Sequence, residues 1–331
     1  MAKTPKHYKE IIRGITGIDN LSADVSAPHM KHMGKAKTAF RSSNVVGIGA
    51  SYKTTAGKLT DTLSITFYVK KKLPRSRIKS ENLLPEILPS ANGRAVFTDV
   101  KETGVFRPSN GALVQETPIE SGYSVSNITG ATGTVGAIVS KPGQTFRYLL
   151  SNSHVLANAG LATPGSDILY PGVTDGGNAG TDWVAMLDQS APLTPGGAYV
   201  NQVDAALAEI LNSRTGDLSF DICGAGSPIR FAGPEIGMSV TKRGRTSGET
   251  TGQITDADFH FSLTYPGVGT CGFAAQALCT RFTEDGDSGS LVVDQNTGNL
   301  VGLHFAHANG GSVFNPIRAV IDALGISFAS S

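Results

Sequence analysis

The chain has 331 residues, of which 40% are hydrophobic and 17% are charged, and its formal net charge is +1 at pH 7. This composition can build a sizeable core, which excludes a disordered chain, and the length fits two units or one large unit with an extension. The near-neutral charge provides no general attraction to nucleic acids or membranes, so neither is expected as a partner. The 40 glycines lie between short β-branched runs without a triplet repeat, which excludes collagen and favours short strands joined by tight turns.

Residues 1–43 are predicted to form a basic N-terminal arm, in which only Tyr8–Ile15 has the pattern of a short helix. The arm lacks the apolar stretch of a secretory signal, and no run in the chain approaches the roughly 18 apolar residues of a membrane span. Cys223, Cys271 and Cys279 are odd in number and do not make a disulfide framework, which favours a reducing, cytoplasmic compartment. A Cys271–Cys279 pair across a hairpin is the less favoured alternative.

Residues 44–117 are predicted to form a small β-rich N-terminal module with strands at Asn44–Tyr52, Leu63–Lys70 and Ala95–Val100. The second strand alternates apolar and polar residues with a period of two, which is typical of a half-buried strand. A basic run follows, containing Lys70, Lys71, Lys72, Arg75, Arg77 and Lys79. Runs of like charge are usually solvated, so we expect a solvated sheet edge there. No combination of residues in the module indicates catalysis.

Residues 118–331 are predicted to be a succession of strands that ends in one helix. The predicted strands cover Gly133–Ser140, Thr145–Leu150, Trp183–Leu187, Val203–Ile210, Met238–Arg243, Gly252–Asp256, Gly272–Thr280, Leu291–Asp294 and Leu300–Phe305. No long 3.6-residue periodicity separates them, which argues against a parallel α/β fold and favours a pair of β-barrels or a sandwich. The helix is predicted over 315–325, with Asn315 as its N-cap and Pro316 at its first position.

The strongest catalytic signal is the run Glu-Asp-Gly-Asp-Ser-Gly-Ser at residues 284–290. A nucleophilic serine needs a tight turn that lifts its hydroxyl out of the backbone, and the glycines on both sides of Ser288 permit one. It also needs amide N–H groups that converge on the oxyanion of a tetrahedral intermediate, and those of Gly286 and Ser288 are the predicted donors. Taken alone, the run also fits an ordinary surface turn.

Two further positions fit the partners that such a serine requires. His154 comes just after an apolar strand, in the run LLSNSHVLA, and a general base must be held at the end of a rigid element. Asp204 stands at the head of the apolar strand in NQVDAALAEI. A buried carboxylate is costly unless it is paired, and an imidazole N–H is a suitable partner that also sets the tautomer of the ring.

Together these residues follow the order His154, Asp204, Ser288. The runs LLSNSHVLA, NQVDAALAEI and GDSGSLVV resemble the three catalytic motifs of the chymotrypsin-like (trypsin-fold) serine peptidases, and the resemblance covers about residues 118–331. The nearest resemblance is to bacterial trypsin-like peptidases that lack the secretory disulfides and carry a β-rich N-terminal module. The run VVGIGASYKTTAGKLTDTLSITFYVKKKLP resembles that module.

The resemblance implies a mainly β fold of two antiparallel six-stranded barrels followed by a C-terminal helix, with the first barrel at about 118–215 and the second at about 216–314. The triad would lie in the cleft between them. Ser288 would attack the substrate carbonyl, His154 would move the proton and Asp204 would orient the imidazole. No cofactor or metal is expected, and the expected partner is a protein or peptide substrate.

In many members of this family, cleavage releases a new N-terminal amine that pairs with the Asp before the serine. Asp287 holds that position, but no activation peptide is recognisable. A side-chain cation is the expected substitute. The candidates are Lys242, Arg243, Arg245 and Arg281, and the sequence does not choose among them.

Thr283, His304, Phe305 and His307 are predicted to bind substrate in the primary specificity pocket. A Thr and His pair placed like Thr283 and His304 occurs in glutamyl endopeptidases of this fold, and a histidine there also serves glutamine-cleaving viral relatives. The resemblance therefore implies a preference for Glu or Gln before the scissile bond, with the imidazole as hydrogen-bond donor. The alternative is that His304 is a wall residue with a partner of its own. Phe282 stands where trypsin-type pockets carry an acid, which argues against Lys or Arg.

The predicted function is that of an active serine endopeptidase. The main alternative, from another functional class, is a catalytically silent protease-fold scaffold that binds its partner through the N-terminal module. A third reading is a latent enzyme that the module restrains. We also expect residues 118–331 to fold without residues 1–115, since each barrel would complete its own sheet.

Overall fold

The computed structural model describes residues 4–18, 27–55, 58–89, 94–106, 117–226 and 229–328. The helices are α1 (Lys6–Thr16), α2 (Ala27–Phe40), α3 (Ser153–Leu156) and α4 (Ile317–Leu324). The strands before the predicted barrels are β1 (Val45–Thr55), β2 (Lys58–Val69), β3 (Ile87–Pro89) and β4 (Ala95–Glu102). Those of the first sheet are β5 (Ser124–Asn127), β6 (Gly133–Thr134), β7 (Ala137–Ser140), β8 (Tyr148–Ser151), β9 (Asp167–Leu169), β10 (Trp183–Ser190) and β11 (Ala206–Ile210). The remaining strands are β12 (Ser239–Gly244), β13 (Gly248–Tyr265), β14 (Gly269–Cys279), β15 (Leu291–Asp294), β16 (Leu300–Ala308), β17 (Gly311–Pro316) and β18 (Ser327–Phe328).

Strands β5 to β11 form a closed antiparallel barrel. Their order is β7-β8-β11-β10-β9-β5-β6, and the short C-terminal β18 adds to the outer side of β7. β6 and β7 therefore lie at opposite ends of this strand order, although only Val135 and Gly136 separate them in the chain. The Val135 N–H donates to Tyr123 O at 2.8 Å and the Gly136 N–H donates to Leu150 O at 2.8 Å. The bent segment β6–β7 therefore joins both edges of the sheet and counts as one strand of a six-stranded barrel.

Strands β12 to β17 form the second barrel. Their order is β12-β15-β16-β17-β14-β13, and β13 pairs again with β12, which closes the ring. Helix α4 then packs across both barrels, because Ile317, Val320 and Leu324 share one buried core with Leu150 of β8 and Leu303 of β16. The predicted mainly β, double-barrel fold with a C-terminal helix is confirmed.

The N-terminal module shares a sheet with the second barrel. β1 pairs with the second half of β13, with Gly47 opposite Phe261, and β2, β4 and β3 extend the sheet beyond β1. The approach is close, since a Cβ on Gly49 would collide with the Asp256 carboxylate of β13. β1 thus extends the sheet beyond a ring that β12 to β17 close among themselves, and the folding of residues 118–331 without residues 1–115 stays a prediction. Removal of β1 would leave unpaired backbone along β13.

The predicted N-terminal arm contains two packed helices. Ile12 and Ile15 of α1 are buried in the core of the module, and Tyr8 Oη donates to Leu63 O of β2 at 3.0 Å. Met33 of α2 is buried in the same core. The short predicted helix is confirmed and extended at both ends, whereas the expectation of an arm beyond it is wrong for α2.

The largest difference from the predicted strands is β13, which was expected only at Gly252–Asp256 and spans Gly248–Tyr265. Its second half, from Asp258 onward, alternates polar and apolar residues, so the period-two pattern that identifies β2 also fits here. Phe259 and the apolar residues after it enter the barrel core. Asp258 and His260 of this half instead line a cavity together with Lys9 and Arg13 of α1.

All three cysteines are free thiols, with Cys223 half-buried and both Cys271 and Cys279 buried on β14. The alternative of a Cys271–Cys279 disulfide is therefore not observed. Within the described ranges, none of the helices combines the length and the apolar character needed to cross a membrane.

Asp256 is a fully buried carboxyl group between β13 and the module. It accepts hydrogen bonds from Tyr68 Oη at 3.0 Å and from the Asp258 N–H at 2.9 Å. Burial raises the pKa of Asp256 from its ordinary value of 3.8 to about 7. The folded chain therefore holds this proton over a range of pH in which the unfolded chain has lost it.

A raised pKa in the folded state contributes stability that is complete below pH 4 and is lost as pH rises toward 7. Asp256→Asn removes this titration. We expect the free energy of unfolding of the wild type, relative to Asp256→Asn, to fall by about 2–3 kcal/mol between pH 5 and pH 8. Urea unfolding of both chains at the two pH values measures the difference. Parallel pH profiles would show that Asp256 does not titrate in this range.

Candidate active site

His154 lies where a buried strand ends and a one-turn helix begins. Every residue of β8 is buried, and α3 starts at Ser153, directly after Asn152. The imidazole Nδ1 lies 2.6 Å from Asp204 Oδ2, and the His154 backbone N–H donates to Asp204 Oδ1 at 3.1 Å. Since a carboxylate only accepts, Nδ1 carries a proton. The structure thus brings two of the three predicted catalytic residues into direct contact.

The Asp204 carboxylate is completely buried just before β11. Besides the two hydrogen bonds from His154, it accepts one from Tyr265 Oη to Oδ2 at 2.7 Å. Burial alone would raise the pKa of Asp204, but the attraction to His154 and these hydrogen bonds hold it below its ordinary value of 3.8. The carboxylate therefore stays ionised and keeps the imidazole fixed through Nδ1.

Two asparagines hold the backbone of Asp204. Asn152 Nδ2 donates to Asp204 O at 2.7 Å, and Asn315 Oδ1 accepts from the Asp204 N–H at 3.0 Å. Asn315 Nδ2 also donates to Leu303 O at 3.0 Å. The side chain of Asn315 makes no capping hydrogen bond to α4, whose N-cap is Pro316. The predicted N-cap role is therefore wrong, because the Asn315 side chain is hydrogen-bonded to the backbone of Asp204 and Leu303 instead.

Ser288 lies in a tight turn between β14 and β15. Gly286 and Gly289 have φ angles of 99° and 98°, in the region that favours glycine over residues with a Cβ. Gly289 is also tightly enclosed, since a Cβ there would collide with Ser151 Oγ. The predicted glycine-dependent turn is confirmed.

The Ser288 turn is tied to the segment that leads to His154. The Thr134 N–H donates to Ser288 O at 2.7 Å, and Thr134 O accepts from Ser151 Oγ at 2.7 Å. The Ser288 hydroxyl donates to Phe305 O at 3.3 Å. His154 Nε2 is buried and has no hydrogen-bond partner among the described residues. In this conformation the serine and the imidazole are therefore not hydrogen-bonded to each other.

Lys242 is the cation that pairs with Asp287. The two side chains are fully buried, and Lys242 Nζ lies 3.0 Å from Asp287 Oδ2. Asp287 also accepts hydrogen bonds from the backbone N–H groups of Thr246 and Ser247 at 3.1 Å each, and from that of Glu284 at 2.9 Å. Burial alone would raise the pKa of Asp287, but Lys242 and these donors hold it below its ordinary value of 3.8.

The other three candidate cations pair elsewhere. Arg245 makes a buried bidentate ion pair with Asp175, with both N–O distances at 2.7 Å. Arg243 lies 3.5 Å from Glu120, and Arg281 lies 2.5 Å from Glu284. The alternative that the sequence left open is thereby resolved in favour of Lys242.

His304 is completely buried on β16, and its Nδ1 lies 2.9 Å from Val313 O. A carbonyl oxygen only accepts, so the ring proton is on Nδ1. Burial lowers the pKa of His304 to about 3, so the ring is neutral near pH 7 and Nε2 is an acceptor. Nε2 has no partner among the described residues. The imidazole was expected to donate a hydrogen bond to the substrate side chain. In the structure, however, the single N–H of the neutral ring already donates to Val313 O.

The other predicted pocket residues lie on neighbouring segments. Thr283 Oγ1 is 2.6 Å from Ser312 Oγ on β17, and the Phe282 N–H donates to the same hydroxyl at 3.2 Å. The Phe282 ring centroid is 6.5 Å from that of His304. His307 is nearly buried, and its Nε2 lies 3.5 Å from Asp285 Oδ1. The wall of the candidate pocket therefore combines hydroxyls, imidazole nitrogen and an aromatic ring.

Sequence reasoning missed three residues of this site. Asn152 stands two positions before His154, and its place in a small polar cluster was the available signal. Asn315 was noticed only as a helix N-cap. Tyr265 gave no signal, because it lies 61 residues beyond Asp204, at the end of a different strand.

No protein-family model and no curated protein matches the chain. Among solved structures, it is similar to Thermobifida fusca protease A, with 16% identity over 64% of this chain and 99% of that one and a TM-score of 0.43. It is similar to Cellulomonas bogoriensis chymotrypsin, with 16% identity over 64% and 99% and a TM-score of 0.41. It is also similar to a glutamic acid specific serine protease that uses a histidine triad in substrate binding, with 15% identity over 64% and 100% and a TM-score of 0.44. The double-barrel fold of this chain follows from its own strand ladders.

Lys242→Met should destabilise the chain by about 3–5 kcal/mol, because it leaves the Asp287 carboxylate buried without its counter-charge. Arg214→Met is the matched control. Arg214 also contacts a carboxylate, that of Asp217 at 2.8 Å, but this carboxylate is partly exposed to solvent, so loss of the ion pair should cost about 0–1 kcal/mol. Urea unfolding measures both variants. Equal, small losses would show that the buried pair does not support the serine turn.

Proposed function

We propose that the chain is a serine endopeptidase that hydrolyses peptide bonds through Ser288, His154 and Asp204. The observation that carries the proposal is the buried His154–Asp204 contact of 2.6 Å, next to a glycine-framed serine turn. A carboxylate placed in this way fixes the imidazole so that Nε2 is available to a nucleophile. The unpartnered Nε2 fits that role.

In the proposed reaction, Ser288 Oγ attacks the carbonyl carbon of the scissile bond while its proton passes to His154 Nε2. The tetrahedral oxyanion is stabilised by the N–H groups of Gly286 and Ser288. His154 then protonates the leaving amine, which leaves an acyl group on Ser288, and water removes that group by the reverse proton path. Ser288 Oγ must first leave Phe305 O. Catalytic hydrogen bonds often form only when substrate is bound.

The Lys242–Asp287 pair supports activity without N-terminal processing. It places a cation of the chain itself against the carboxylate before the serine. The Ile119 N–H, at the start of the first barrel, donates instead to Asp217 O at 2.6 Å. The serine turn is therefore braced while residue 119 remains within the intact chain, which favours a constitutively formed site over one that awaits cleavage.

For the pocket we propose a preference for Gln over Glu before the scissile bond. A Gln side chain carries an NH2 group that can donate to His304 Nε2, whereas a Glu carboxylate would face the lone pair of a neutral ring. Thr283 and Ser312 share one hydroxyl proton between them, so the other hydroxyl proton of the pair can be donated to the carboxamide oxygen. Lys and Arg should be poor, because Phe282 provides no counter-charge for a buried cation.

The chain is expected to act on protein or peptide substrates in a reducing, cytoplasmic compartment. Its three free thiols support that location. The scaffold alternative has one observation in its favour, the hydrogen bond that holds the Ser288 hydroxyl on Phe305 O. Peptidase activity of the wild type, compared with that of Ser288→Ala, distinguishes the enzyme from the scaffold.

Ser288→Ala and His154→Ala should each abolish hydrolysis of a peptide library by the full chain, because the triad acts as one unit. Asp204→Asn should reduce turnover by roughly 10⁴-fold, since the imidazole is no longer held in the required tautomer. Thermal unfolding of each variant serves as the folding control. Wild-type activity in Ser288→Ala would exclude Ser288 as nucleophile, and an inactive wild type would favour the scaffold.

Profiling of the same library should show Gln as the best residue before the scissile bond at pH 8. The Gln-to-Glu ratio in kcat/KM should fall toward pH 5, because a protonated Glu side chain regains a donor. His304→Ala should lower kcat/KM for Gln by about 10-fold, while the reaction with a small acyl ester remains unchanged. A library led by Lys, Arg or large aromatic residues would refute the pocket proposal and leave the triad untouched.

A further inference from the structure

The N-terminal module contains a cavity of about 560 Å³ that is separate from the candidate active site. It lies at the carboxyl ends of β2 and β4, which run parallel and so end at the same edge of the sheet. The segment 71–86 passes over this edge on its way to β3 and forms the opposite wall. The volume is within the range of about 300–1,000 Å³ that is usual for small-molecule sites. We call this space the basic-rimmed cavity.

The inner surface of the basic-rimmed cavity is mostly apolar. The sheet contributes Val45 and Val69, and the passing segment contributes apolar side chains of its own, Leu73, Ile78, Leu83 and Leu84. All four of the latter are only half-buried. Half-buried aliphatic side chains that converge on one cavity are the lining expected for an apolar ligand body.

Cations surround this apolar lining. They are Lys71, Lys72, Arg75, Arg77 and Lys79, all solvent-exposed and all within nine residues of one another. Arg75 pairs with Glu86 at 3.1 Å, and Lys72 Nζ donates to Val100 O at 3.1 Å. Within the described ranges, the other three cations have no carboxylate at ion-pair distance.

Two carboxylates also line the basic-rimmed cavity, and both have partners. Glu86 is paired with Arg75. Asp99 Oδ2 accepts from the Thr54 N–H at 2.9 Å, and Asp99 Oδ1 accepts from the Val100 N–H at 2.9 Å. Positive charge at the rim therefore exceeds negative charge, and Lys71, Arg77 and Lys79 are available to an anion.

We propose that the basic-rimmed cavity binds a single-chain aliphatic carboxylate, with the chain on the apolar lining and the headgroup at Arg77 and Lys79. Because the lining is apolar and the rim is cationic, the ligand needs an apolar chain and an anionic headgroup. A guanidinium matches a carboxylate in charge and geometry. The basic run, which the sequence predicts to be a solvated edge, then has a ligand-binding role. An acidic peptide is the competing occupant, but the limited volume favours one small molecule.

The probe is dodecanoate, titrated into the full chain by calorimetry below its micelle concentration. We expect saturable binding of one molecule per chain. Arg77→Glu combined with Lys79→Glu should weaken binding at least 10-fold, because the headgroup loses its charge-assisted hydrogen bonds. The matched control combines Arg41→Glu with Lys70→Glu, which makes the same change in net charge at exposed residues outside the cavity. It should change binding less than 2-fold.

Two further arms test the two parts of the ligand. Dodecanol, which lacks the charge, and acetate, which lacks the chain, should each bind at least 10-fold more weakly than dodecanoate. Leu83→Glu, with thermal unfolding as a folding check, should abolish binding by placing a carboxylate in the lining. The proposal is overturned by an absence of saturable dodecanoate binding, by equal affinity for dodecanol, by equal losses in the rim and control variants, or by an acidic peptide that displaces dodecanoate at lower concentration. None of these readouts needs peptidase activity, so they are independent of the proposed function.

Discussion

The arrangement of the candidate active site depends on one buried carboxylate, that of Asp204. It would carry an uncompensated charge without its donors, which come from both barrels: His154 follows β8 of the first, and Tyr265 ends β13 of the second. Asn315, at the end of β17, fixes the backbone of the same residue. The cost of a buried, unpaired charge therefore couples the relative position of the barrels to the orientation of the imidazole.

A second buried ion pair sets the shape of the serine turn. Asp287 is satisfied by Lys242 and by three backbone N–H groups of the second barrel, and the turn is held from the first barrel as well, by the Thr134 N–H at Ser288 O. The module reaches the same barrel through β1, which pairs with the half of β13 that ends at Tyr265. The N-terminal module thus extends the sheet of the second barrel. The module also contacts the turn between β16 and β17, where the Gly310 N–H donates to Thr103 O at 2.9 Å.

The sequence predicted the fold class, and it pointed to the residues of the candidate site, because both depend on local patterns. Alternating strands, the glycines around Ser288 and the strand end before His154 are all visible in short windows. Tyr265, the use of Asn315 and the choice of Lys242 depend on contacts between residues far apart in the chain, so no local pattern identifies them. The pairing of β1 with β13 likewise depends on residues far apart in the chain. For His304, the sequence indicates a place near the serine but not which ring nitrogen carries the proton. The Val313 carbonyl places the proton on Nδ1, and only the fold brings this carbonyl near the ring.

The central claim is that Ser288, activated by His154, is a nucleophile. Its most direct test is covalent labelling of the intact chain with a fluorophosphonate, followed by mapping of the modified residue by peptide mass spectrometry. The account predicts one adduct, on Ser288, that forms in the wild type and is absent from His154→Ala although that variant remains folded. An adduct on another residue, or labelling of Ser288 that does not depend on His154, would contradict it.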